Sequence, residues 1–242
     1  MEIYGIRSII EAIDSSKEIS RVYLSKSLTS NSLSKSLIRL LESKNIKFTY
    51  VPKQKFFKYG NKNHQGAIAF LSPVQFLSIQ ELIKLSYNNK MPQTYLLLDG
   101  ITDTRNFGSI IRTSLAAEVS GIIIAQNNSA PINSDVVKTS SGAAFKIPIA
   151  RVKNLKDAIL HLKSLDILII SLSEKARNTI YNSNFKKTLA IIMGSEEKGI
   201  SKSIMSLSDS ILKVPISSSI DSLNVSVAFS AVVFEIIRQR NF

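Results

Sequence analysis

The stretch Ser222-Leu223-Asn224-Val225-Ser226-Val227-Ala228 decides the fold of this chain, together with two earlier segments of the same kind. Residues 106–112 read Asn-Phe-Gly-Ser-Ile-Ile-Arg, and residues 194–200 read Gly-Ser-Glu-Glu-Lys-Gly-Ile. Each segment places small or polar residues where an apolar run ends. An open α/β sheet keeps its ligand site in the crevice outside the carboxyl ends of its strands. The three segments therefore predict one site along one edge of a sheet.

Short apolar runs surround these segments, at residues 95–98, 121–125, 167–171, 189–193 and 211–214. Continuous rather than alternating apolar runs are typical of parallel strands that are buried on both faces. The last helix carries apolar residues at i, i+3 and i+4 spacing from Val225 to Ile237, and most of this stripe is expected to be core or subunit interface. The pattern predicts an α/β domain with a mostly parallel sheet over residues 94–242.

The first 71 residues predict a second, smaller α/β domain. Helices are expected near residues 8–13 and 33–43, and strands at residues 21–25, 47–51 and 67–71. The turn residues Ser72-Pro73 and Asn88-Asn89-Lys90-Met91-Pro92 punctuate the connection, so the linker is placed at residues 72–93. Within it, the spacing of Ser78 and Glu81 predicts the start of a short helix.

The composition favours a polyanionic partner and argues against a metal site. The formal net charge is +13, and positive charge attracts a polyanion by counterion release, although charge alone does not separate RNA from DNA or a membrane surface. The chain has no cysteine, and its two histidines, His64 and His161, are far apart in sequence. Disulfides and thiolate metal sites are thereby excluded, and no zinc site is expected.

No membrane association is expected from the sequence. The opening residues lack the basic region followed by an apolar run that marks a secretory signal. No apolar run approaches the roughly 20 residues that are needed to span a bilayer. We therefore expect a cytoplasmic protein.

The first polar segment has a plausible role in binding an anion. Asn106 is expected to cap the helix that follows it, and Gly108 would let another backbone approach. Arg112 follows about a turn and a half later and could grip a phosphate through its fork of donors. An ordinary surface arginine is the alternative interpretation.

The other two segments carry the remaining candidates. Gly194 and Gly199 allow tight turns whose backbone groups could face a ligand, and Glu196 could orient an amide, a ribose or the arginine. Ser222 or Asn224 could be the N-cap of the last helix, which is compatible with a further role in binding. A plain turn with solvated acids is the alternative for the second segment.

In this order the three segments resemble the signature motifs of the SpoU/TrmH family, the knotted ribose 2′-O-methyltransferases of RNA. The resemblance implies a C-terminal α/β-knot fold with a deep trefoil knot, and S-adenosylmethionine as the cofactor. By that resemblance the cofactor would contact Gly194, Val214 and Leu223. The reaction centre would consist of Asn106, Arg112, Glu196, Ser222 and Asn224.

Further segments resemble the branch of this family that methylates a guanosine of large-subunit (23S) ribosomal RNA. They are Tyr4-Gly5-Ile6, Asn63-His64-Gln65-Gly66 and residues 140–155. The resemblance implies that the N-terminal domain resembles ribosomal protein L30e and binds RNA, and that the enzyme is a homodimer. The RNA contacts are expected at Lys53, Lys55, Lys58, Tyr59 and His64. Phe56 or Phe57 could instead be core, and His161 is expected to be structural.

One position departs from the family pattern, because Thr104 stands where the first motif usually has proline. No catalytic group is lost by this change. Three alternatives stay open from the sequence: a ribose methyltransferase acting on tRNA, a non-catalytic RNA-binding protein of ribosome assembly, and a Rossmann-type enzyme. The last is disfavoured because no glycine-rich phosphate turn follows an early strand.

Overall fold

The computed structural model describes residues 2–15, 17–60, 62–87 and 91–242, and the chain forms two compact units. The smaller unit contains the residues up to Gln75 and Pro131–Asn133. The larger unit contains Phe76–Ala130 and Ser134–Phe242. In the polar stretch expected to end the linker, Asn88, Asn89 and Lys90 lie outside the described residues.

The smaller unit is a four-stranded sheet with helices on one face. Its elements are β1 (Glu2–Tyr4), α1 (Ile6–Asp14), β2 (Ile19–Ser25), α2 (Ser32–Ser43), β3 (Phe48–Val51), a 3₁₀ helix (Lys53–Tyr59) and β4 (Ala67–Leu71). The strand order is β1-β4-β2-β3, with β2 and β3 parallel and the other pairs antiparallel.

Amphipathic helices account for the core of this unit. Ile6, Ile9 and Ile13 lie at i, i+3 and i+7 along α1, and all three pack on the sheet with Leu37 and Leu41 of α2. The other face of the sheet is covered by the 3₁₀ helix, through a small cluster that contains Val51, Phe56, Tyr59 and Ile68.

The larger unit contains a seven-stranded sheet with helices. Its strands are β5 (Thr94–Asp99), β6 (Gly121–Ala125), β7 (Ile149–Val152), β8 (Leu168–Leu172), β9 (Asn178–Thr179), β10 (Leu189–Gly194) and β11 (Ser210–Lys213). Its helices are α3 (Ile79–Tyr87), α4 (Thr104–Ala116), α5 (Ser134–Thr139), α6 (Leu155–Lys163), α7 (Lys202–Met205) and α8 (Val225–Asn241), with 3₁₀ helices at Ala143–Phe145 and Ile180–Asn182.

All pairs in the large sheet are parallel, in the order β7-β6-β5-β10-β8-β11-β9. The central strands β5 and β10 are almost fully buried, which explains their continuous apolar sequence. From β5 the chain continues to β6 on one side, whereas β8 and β11 lie on the other side of β10. The carboxyl ends of β5 and β10 therefore border a topological switch point, where α/β sheets bind ligands.

Arg240, near the end of α8, ties that helix to the amino ends of the central strands. Its guanidinium donates to the carbonyl oxygens of Phe185, Pro92 and Lys187, at 2.7–2.9 Å, and to Thr94 Oγ1 at 2.8 Å. Burial lowers the pKa of this guanidinium. The last turn of α8 is thus fixed by carbonyl oxygens that the sheet and its loops leave unpaired.

The predicted mostly parallel α/β fold is confirmed, with local differences. The five predicted strands of the larger unit all form, within one residue of the expected bounds. The short strands β1, β7 and β9 were not predicted. The helix expected from Ser78 forms as α3, with Ser78 and Glu81 bonded as a capping box, and Ile79 and Leu82 bury in the core of the larger unit. This part of the predicted linker is therefore an ordered element.

Within the described ranges, the helices are all too short or too polar to cross a bilayer. The same residues contain no group of three or more histidine, aspartate or glutamate side chains that could hold a metal ion.

Candidate active site

The first two polar segments begin side by side at the carboxyl edge of the large sheet. Gly194, the last residue of β10, pairs with Asp99, the last residue of β5. The Asp99 carboxylate accepts a hydrogen bond from the Ser201 N–H at 2.8 Å, so the end of one strand holds the loop that follows the other. The parallel register of β5 and β10 thereby fixes the position of residues 195–201.

This loop folds tightly over Gly194. The Gly199 N–H donates to the Ser195 carbonyl at 2.8 Å, and Gly199 has a φ of +65°. A Cβ atom built on Gly194 would lie 2.1 Å from the Gly199 carbonyl carbon and 2.2 Å from the Ile200 nitrogen. Only glycine fits at this position, because two backbone segments occupy the space that a side chain would need.

The loop forms one wall of a cavity of about 500 Å³. The other walls come from the end of β8, the end of β11 and the segment that leads into α8. The cavity is lined by all three residues predicted to contact a cofactor and by two of the predicted reaction-centre residues: Gly194, Val214, Leu223, Glu196 and Ser222. The side chains of Leu172, Met193 and Ile216 add apolar surface.

A hydrogen-bonded cluster joins the three polar segments. Asn224 Nδ2 donates to Asn106 Oδ1 at 2.9 Å and also to Glu196 Oε1. Glu196 Oε1 accepts a second bond from the Val225 N–H, at 3.2 Å. Asn224 Oδ1 accepts from the N–H and the hydroxyl of Ser226, at 3.0 and 2.6 Å.

The direction of these bonds leaves specific groups available to a substrate. Because Asn106 Oδ1 accepts the bond from Asn224, the amide nitrogen of Asn106 is directed away from Asn224 and can donate to a substrate. Glu196 uses one oxygen on Asn224 and Val225, and its other oxygen makes no hydrogen bond to any residue in the described ranges. The cluster therefore presents a fixed donor and a fixed anionic acceptor side by side.

The two helices that carry these asparagines run parallel and begin at the same place. Asn224, the N-cap of α8, bonds to Asn106 in the first turn of α4. Further along the two helices, the hydroxyls of Ser230 and Thr113 lie 3.5 Å apart. Gly108 permits the close packing of α5 on α4, since a Cβ there would lie 2.6 Å from the Cβ of Thr139.

The cap of α4 differs from the prediction. Asp103, not Asn106, is the N-cap, and its carboxylate accepts from the N–H groups of Arg105 and Asn106 at 2.9 and 2.8 Å. The helix starts one turn earlier than expected because an acidic side chain at position 103 bonds those first free amides. Asn106 is thereby released from capping, and its side chain joins the cluster.

Arg112 does not reach this cluster. It follows Asn106 by six residues on α4, which separates the two by about 9 Å along the helix axis and places them on different sides. Its side chain is exposed and has no hydrogen-bond or ion-pair partner in the described part of the chain. Ser222 is also exposed and lines the cavity, where it bonds to no described residue.

The residues predicted to contact RNA lie on the 3₁₀ helix of the smaller unit and just beyond it. Lys55 lies 5.5 Å from the centre of the Tyr23 ring, and Lys58 lies 4.6 Å from that of Tyr59. Tyr59 is only 7% exposed, and its hydroxyl donates to Glu2 at 3.0 Å, so its ring is not free to stack on a base.

Of the two phenylalanines considered as core, one is buried and one is not. Phe56 is 2% exposed, whereas Phe57 is 67% exposed and offers the free ring of this segment. His64 packs against Phe56 with ring centres 4.8 Å apart, and Lys53 and His64 both line a cavity of the smaller unit. Of the predicted RNA contacts, Lys55 and Lys58 therefore lie on a basic surface and Lys53 and His64 line a cavity, whereas the Tyr59 ring is buried.

Sequence reasoning missed three residues that shape the candidate active site. Asp99 holds the loop that follows β10, and Asp103 caps α4. Ser226 fixes the orientation of the Asn224 amide. The spacing of Asp103 ahead of two backbone amides is an ordinary N-cap signal that could have been found. The bond from Ser201 to Asp99 joins residues too far apart in sequence for any local signal.

Comparison with protein families matches both units. Residues 93–234 match the model of the SpoU rRNA Methylase family. Residues 3–77 match the model described as RNA 2′-O ribose methyltransferase substrate binding.

Individual proteins agree with these matches. A TrmH family tRNA/rRNA methyltransferase of Staphylococcus aureus (strain MSSA476) is 31% identical over 239 residues, which cover 99% of this chain and 96% of the relative. The 23S rRNA (guanosine-2′-O-)-methyltransferase RlmB of Vibrio vulnificus is 36% identical over 178 residues, covering 74% of this chain and 72% of that protein. Among solved structures, the SpoU methyltransferase AviRb of Streptomyces viridochromogenes, in complex with the cofactor AdoMet, superposes with a TM-score of 0.63 at 20% identity, covering 99% and 90% of the two chains.

Proposed function

The chain belongs to the SpoU rRNA methylase family, and from this premise we propose that it methylates the ribose 2′-hydroxyl of a guanosine in 23S ribosomal RNA. The protein is an RNA 2′-O-ribose methyltransferase. We propose S-adenosylmethionine as its methyl donor, the cofactor that is present in the AviRb complex. The guanosine target is supported by the similarity to the Vibrio vulnificus enzyme. The observation that carries the chemical part of the proposal is the Asn106–Asn224–Glu196 cluster beside the cavity of the larger unit.

The cavity fits the methyl donor in size and in chemistry. Its volume of about 500 Å³ lies within the range of small-molecule sites. Leu172, Met193 and Leu223 offer apolar contact to a planar base, and the carboxylate of Glu196 suits a positively charged sulfonium. We propose that Gly194, Val214 and Leu223 hold the cofactor, mainly through their backbone groups, because Gly194 has no room for a side chain. When bound, S-adenosylmethionine supplies the electrophilic methyl group.

The cluster would then fix the acceptor nucleotide. The free amide nitrogen of Asn106 and the second oxygen of Glu196 can bind a ribose hydroxyl as donor and acceptor. Asn224 holds both groups in one orientation through its single amide nitrogen. Such fixed positioning accounts for a large share of the acceleration in a transfer between two bound reactants.

We assign Arg112 to charge stabilisation. As the new C–O bond forms and the bond from the methyl group to sulfur breaks, the 2′-hydroxyl proton passes to the Glu196 oxygen that accepts from that hydroxyl, because an arginine is already protonated throughout the ordinary pH range. A guanidinium can bind the neighbouring phosphate and stabilise the developing alkoxide without accepting the proton.

The placement of Arg112 supports a homodimer in which each subunit completes the site of the other. Arg112 lies about a turn and a half along α4 from Asn106, is exposed, and has no hydrogen-bond or ion-pair partner among the residues described here. On α8, Val227 and Phe234 are 52% and 50% exposed and lie seven residues apart, so they form an apolar strip on one side of the helix. Burial of this strip against a second copy would remove it from water.

A mixture of two inactive variants tests this arrangement. Arg112→Ala and Asn224→Ala are purified separately, then unfolded, mixed at equal concentration and refolded. If Arg112 acts on the partner's cluster, half of the dimers are mixed and each has one intact site, so about a quarter of the wild-type activity returns. No recovery, with mixed dimers demonstrated by differently tagged subunits, would place Arg112 in its own subunit's site or in none.

The substrate is tested by incubating the protein with radiolabelled S-adenosylmethionine and unmodified 23S rRNA or tRNA in parallel. We expect a 2′-O-methyl group at a guanosine of the rRNA. Label in tRNA alone would keep the reaction and overturn the target. Binding of the donor without label in either RNA would argue against the free RNAs as substrates.

Methylation of tRNA is the second candidate. The relative from Staphylococcus aureus is named for tRNA and rRNA together, and it matches nearly the whole chain. We favour rRNA because the family that matches residues 93–234 is described as an rRNA methylase.

A further inference from the structure

The smaller unit contains a cavity of its own, of about 350 Å³. Three segments meet there: the loop from β2 to α2, the 3₁₀ helix, and the turn that precedes β4. The lining side chains that matter here are Asn31, Lys53, Phe56, His64 and Gln65. None of the residues lining it in the described structure is an aspartate or a glutamate.

Three of these side chains have both a donor and an acceptor, and each uses its acceptor within the protein. Asn31 Oδ1 accepts from the Ser34 N–H at 2.9 Å, as the N-cap of α2. Gln65 Oε1 accepts from the Ile6 N–H at 3.2 Å, and His64 Nδ1 accepts from the Gly66 N–H at 2.9 Å. A backbone N–H can only donate, so these contacts fix the orientation of both amides and of the imidazole.

The same side chains therefore keep their donors unused. The amide nitrogens of Asn31 and Gln65 and the Nε2 of His64 have no hydrogen-bond partner among the described residues, and neither does the Lys53 ammonium. The cavity thus combines four donor groups and a positive charge with no carboxylate. Such a set of groups selects a ligand that is rich in acceptors and carries negative charge.

The size and shape of the cavity limit the class of ligand further. The cavity is much larger than a phosphate ion, and the half-buried imidazole of His64, which packs on the buried Phe56, provides an aromatic wall. A nucleotide has a phosphate for Lys53, carbonyl and ring-nitrogen acceptors for the two amides, and a flat base that can pack on aromatic rings. Bases of a duplex cannot enter such a cavity, because they are stacked and paired.

We propose that this cavity binds one unpaired nucleotide of the RNA substrate. The proposal rests on the proposed function only in taking RNA as the substrate, because the site lies wholly within the smaller unit. It also gives a role in selecting single-stranded RNA to Asn31 and Gln65, which are not among the predicted RNA contacts.

The unused donors can be removed without disturbing the internal bonds. Gln65→Glu keeps an oxygen for the Ile6 N–H, and Asn31→Asp keeps the N-cap of α2, but each replaces the amide nitrogen by a negatively charged oxygen. Gln75→Glu is the matched control, since it makes the same charge change on an exposed side chain of the same unit that does not line the cavity.

Affinity is measured by fluorescence anisotropy with the full-length protein and a labelled, unstructured RNA decamer at fixed salt. Each variant sets a negatively charged oxygen against an acceptor of the base and leaves both unpaired, which corresponds to a change of roughly tenfold to a hundredfold. We therefore expect Gln65→Glu and Asn31→Asp each to weaken binding at least about tenfold. Gln75→Glu is expected to change it by about twofold or less, through long-range charge alone.

Several results would overturn the proposal. These are equal weakening by all three variants and absence of decamer binding by the wild-type protein. Binding of a guanosine mononucleotide as tightly as the decamer would overturn RNA as the occupant, because a free nucleotide would then satisfy the site by itself. The rRNA methylation assay separates this site from the proposed function. If Gln65→Glu methylates rRNA with an unchanged KM, the cavity assignment fails while the function stands. If the wild type leaves rRNA unmethylated but binds the decamer through these donors, the proposed function fails while the cavity assignment stands.

Discussion

Replacing Gly194 by alanine should disable the cofactor cavity while the sheet survives. The added Cβ would lie 2.1 Å from the carbonyl carbon of Gly199, 2.2 Å from the nitrogen of Ile200 and 2.4 Å from the carbonyl oxygen of Gly199. Cβ atoms in proteins essentially never approach other heavy atoms to within 3.0 Å. The loop over Gly194 must therefore retreat by about 1 Å, since packed interiors do not absorb such an overlap.

This retreat has two measurable consequences. Overpacking of this kind costs roughly 1–3 kcal/mol of folding stability, which lowers the melting temperature by about 2–4 °C per kcal/mol in a protein of this size. The loop is also a wall of the cavity that Leu223 and Glu196 help to line. We expect donor affinity to fall at least about tenfold and turnover by about a hundredfold, because a displacement of 1 Å in a site costs that much.

Gly142→Ala is the control for a glycine substitution as such. Gly142 has a φ of +79° and nothing within 4 Å of the Cβ position, and it does not line the cavity. Alanine there should cost about 1–2 kcal/mol through left-handed backbone strain alone. Binding of S-adenosylmethionine is measured by isothermal titration calorimetry, and stability by thermal unfolding of the same samples.

The reasoning is refuted if Gly194→Ala binds S-adenosylmethionine like the wild type. It is also refuted if both variants lose donor affinity equally, because a general loss of stability would then explain the effect. Retained donor affinity with a lowered melting temperature would mean that the loop is not the wall that holds the donor.

Other substitutions separate the roles of the remaining residues. Asn224→Asp keeps the N-cap of α8 but replaces the amide donor shared by two side chains with an oxygen that repels Glu196, so turnover should fall about a hundredfold while the melting temperature falls by no more than about 4 °C. Asn106→Ala should lower turnover more than donor affinity, because its amide is proposed to bind the ribose; comparison of kcat with the calorimetric Kd checks this. Arg112→Lys should lose most of its turnover if the planar guanidinium is needed, and near-normal kcat would exclude such a role. Hydrogen bonds from Arg238, and then from Gln239, lower the pKa of Glu235, so its contribution to stability is present at neutral pH and is lost as the pH falls below about 4.5. The difference in melting temperature between the wild type and Glu235→Gln should therefore shrink from pH 7 to pH 3.5, and a constant difference would contradict the assignment.

Elements with a continuous apolar sequence could be predicted from the chain alone. β4 and β6 form at the expected residues, because a strand that is buried on both faces must be apolar along its whole length. β7 lies at the edge of the large sheet, and only its first two residues are buried. Its apolar sequence is interrupted by Arg151, so no continuous apolar run marks this strand. β9 pairs through two residues only, which no periodicity can reveal.

The candidate site was predictable as a set of residues but not as a geometry. The polar residues after the strands indicated Asn106, Glu196 and Asn224, and the structure brings these three into one hydrogen-bonded cluster. The cap at Asp103 and the outward position of Arg112 depend on where a helix begins, and helix ends are the least certain part of a sequence prediction. The knot, finally, is expected from the family resemblance alone, because it is a property of how the chain threads and no local pattern encodes it.

The pairing of β5 with β10 also has a consequence for the order of events during synthesis. Thr94 lies beside Leu189, so the two central strands are 95 residues apart in sequence. At roughly 5–20 residues per second on the ribosome, β5 emerges about 5–20 s before the strand that covers its open edge. During that interval β5, β6 and β7 form half a sheet whose middle edge is apolar and unpaired. We therefore expect the nascent chain to be most prone to aggregation, and most dependent on chaperones, between the synthesis of β5 and that of β10.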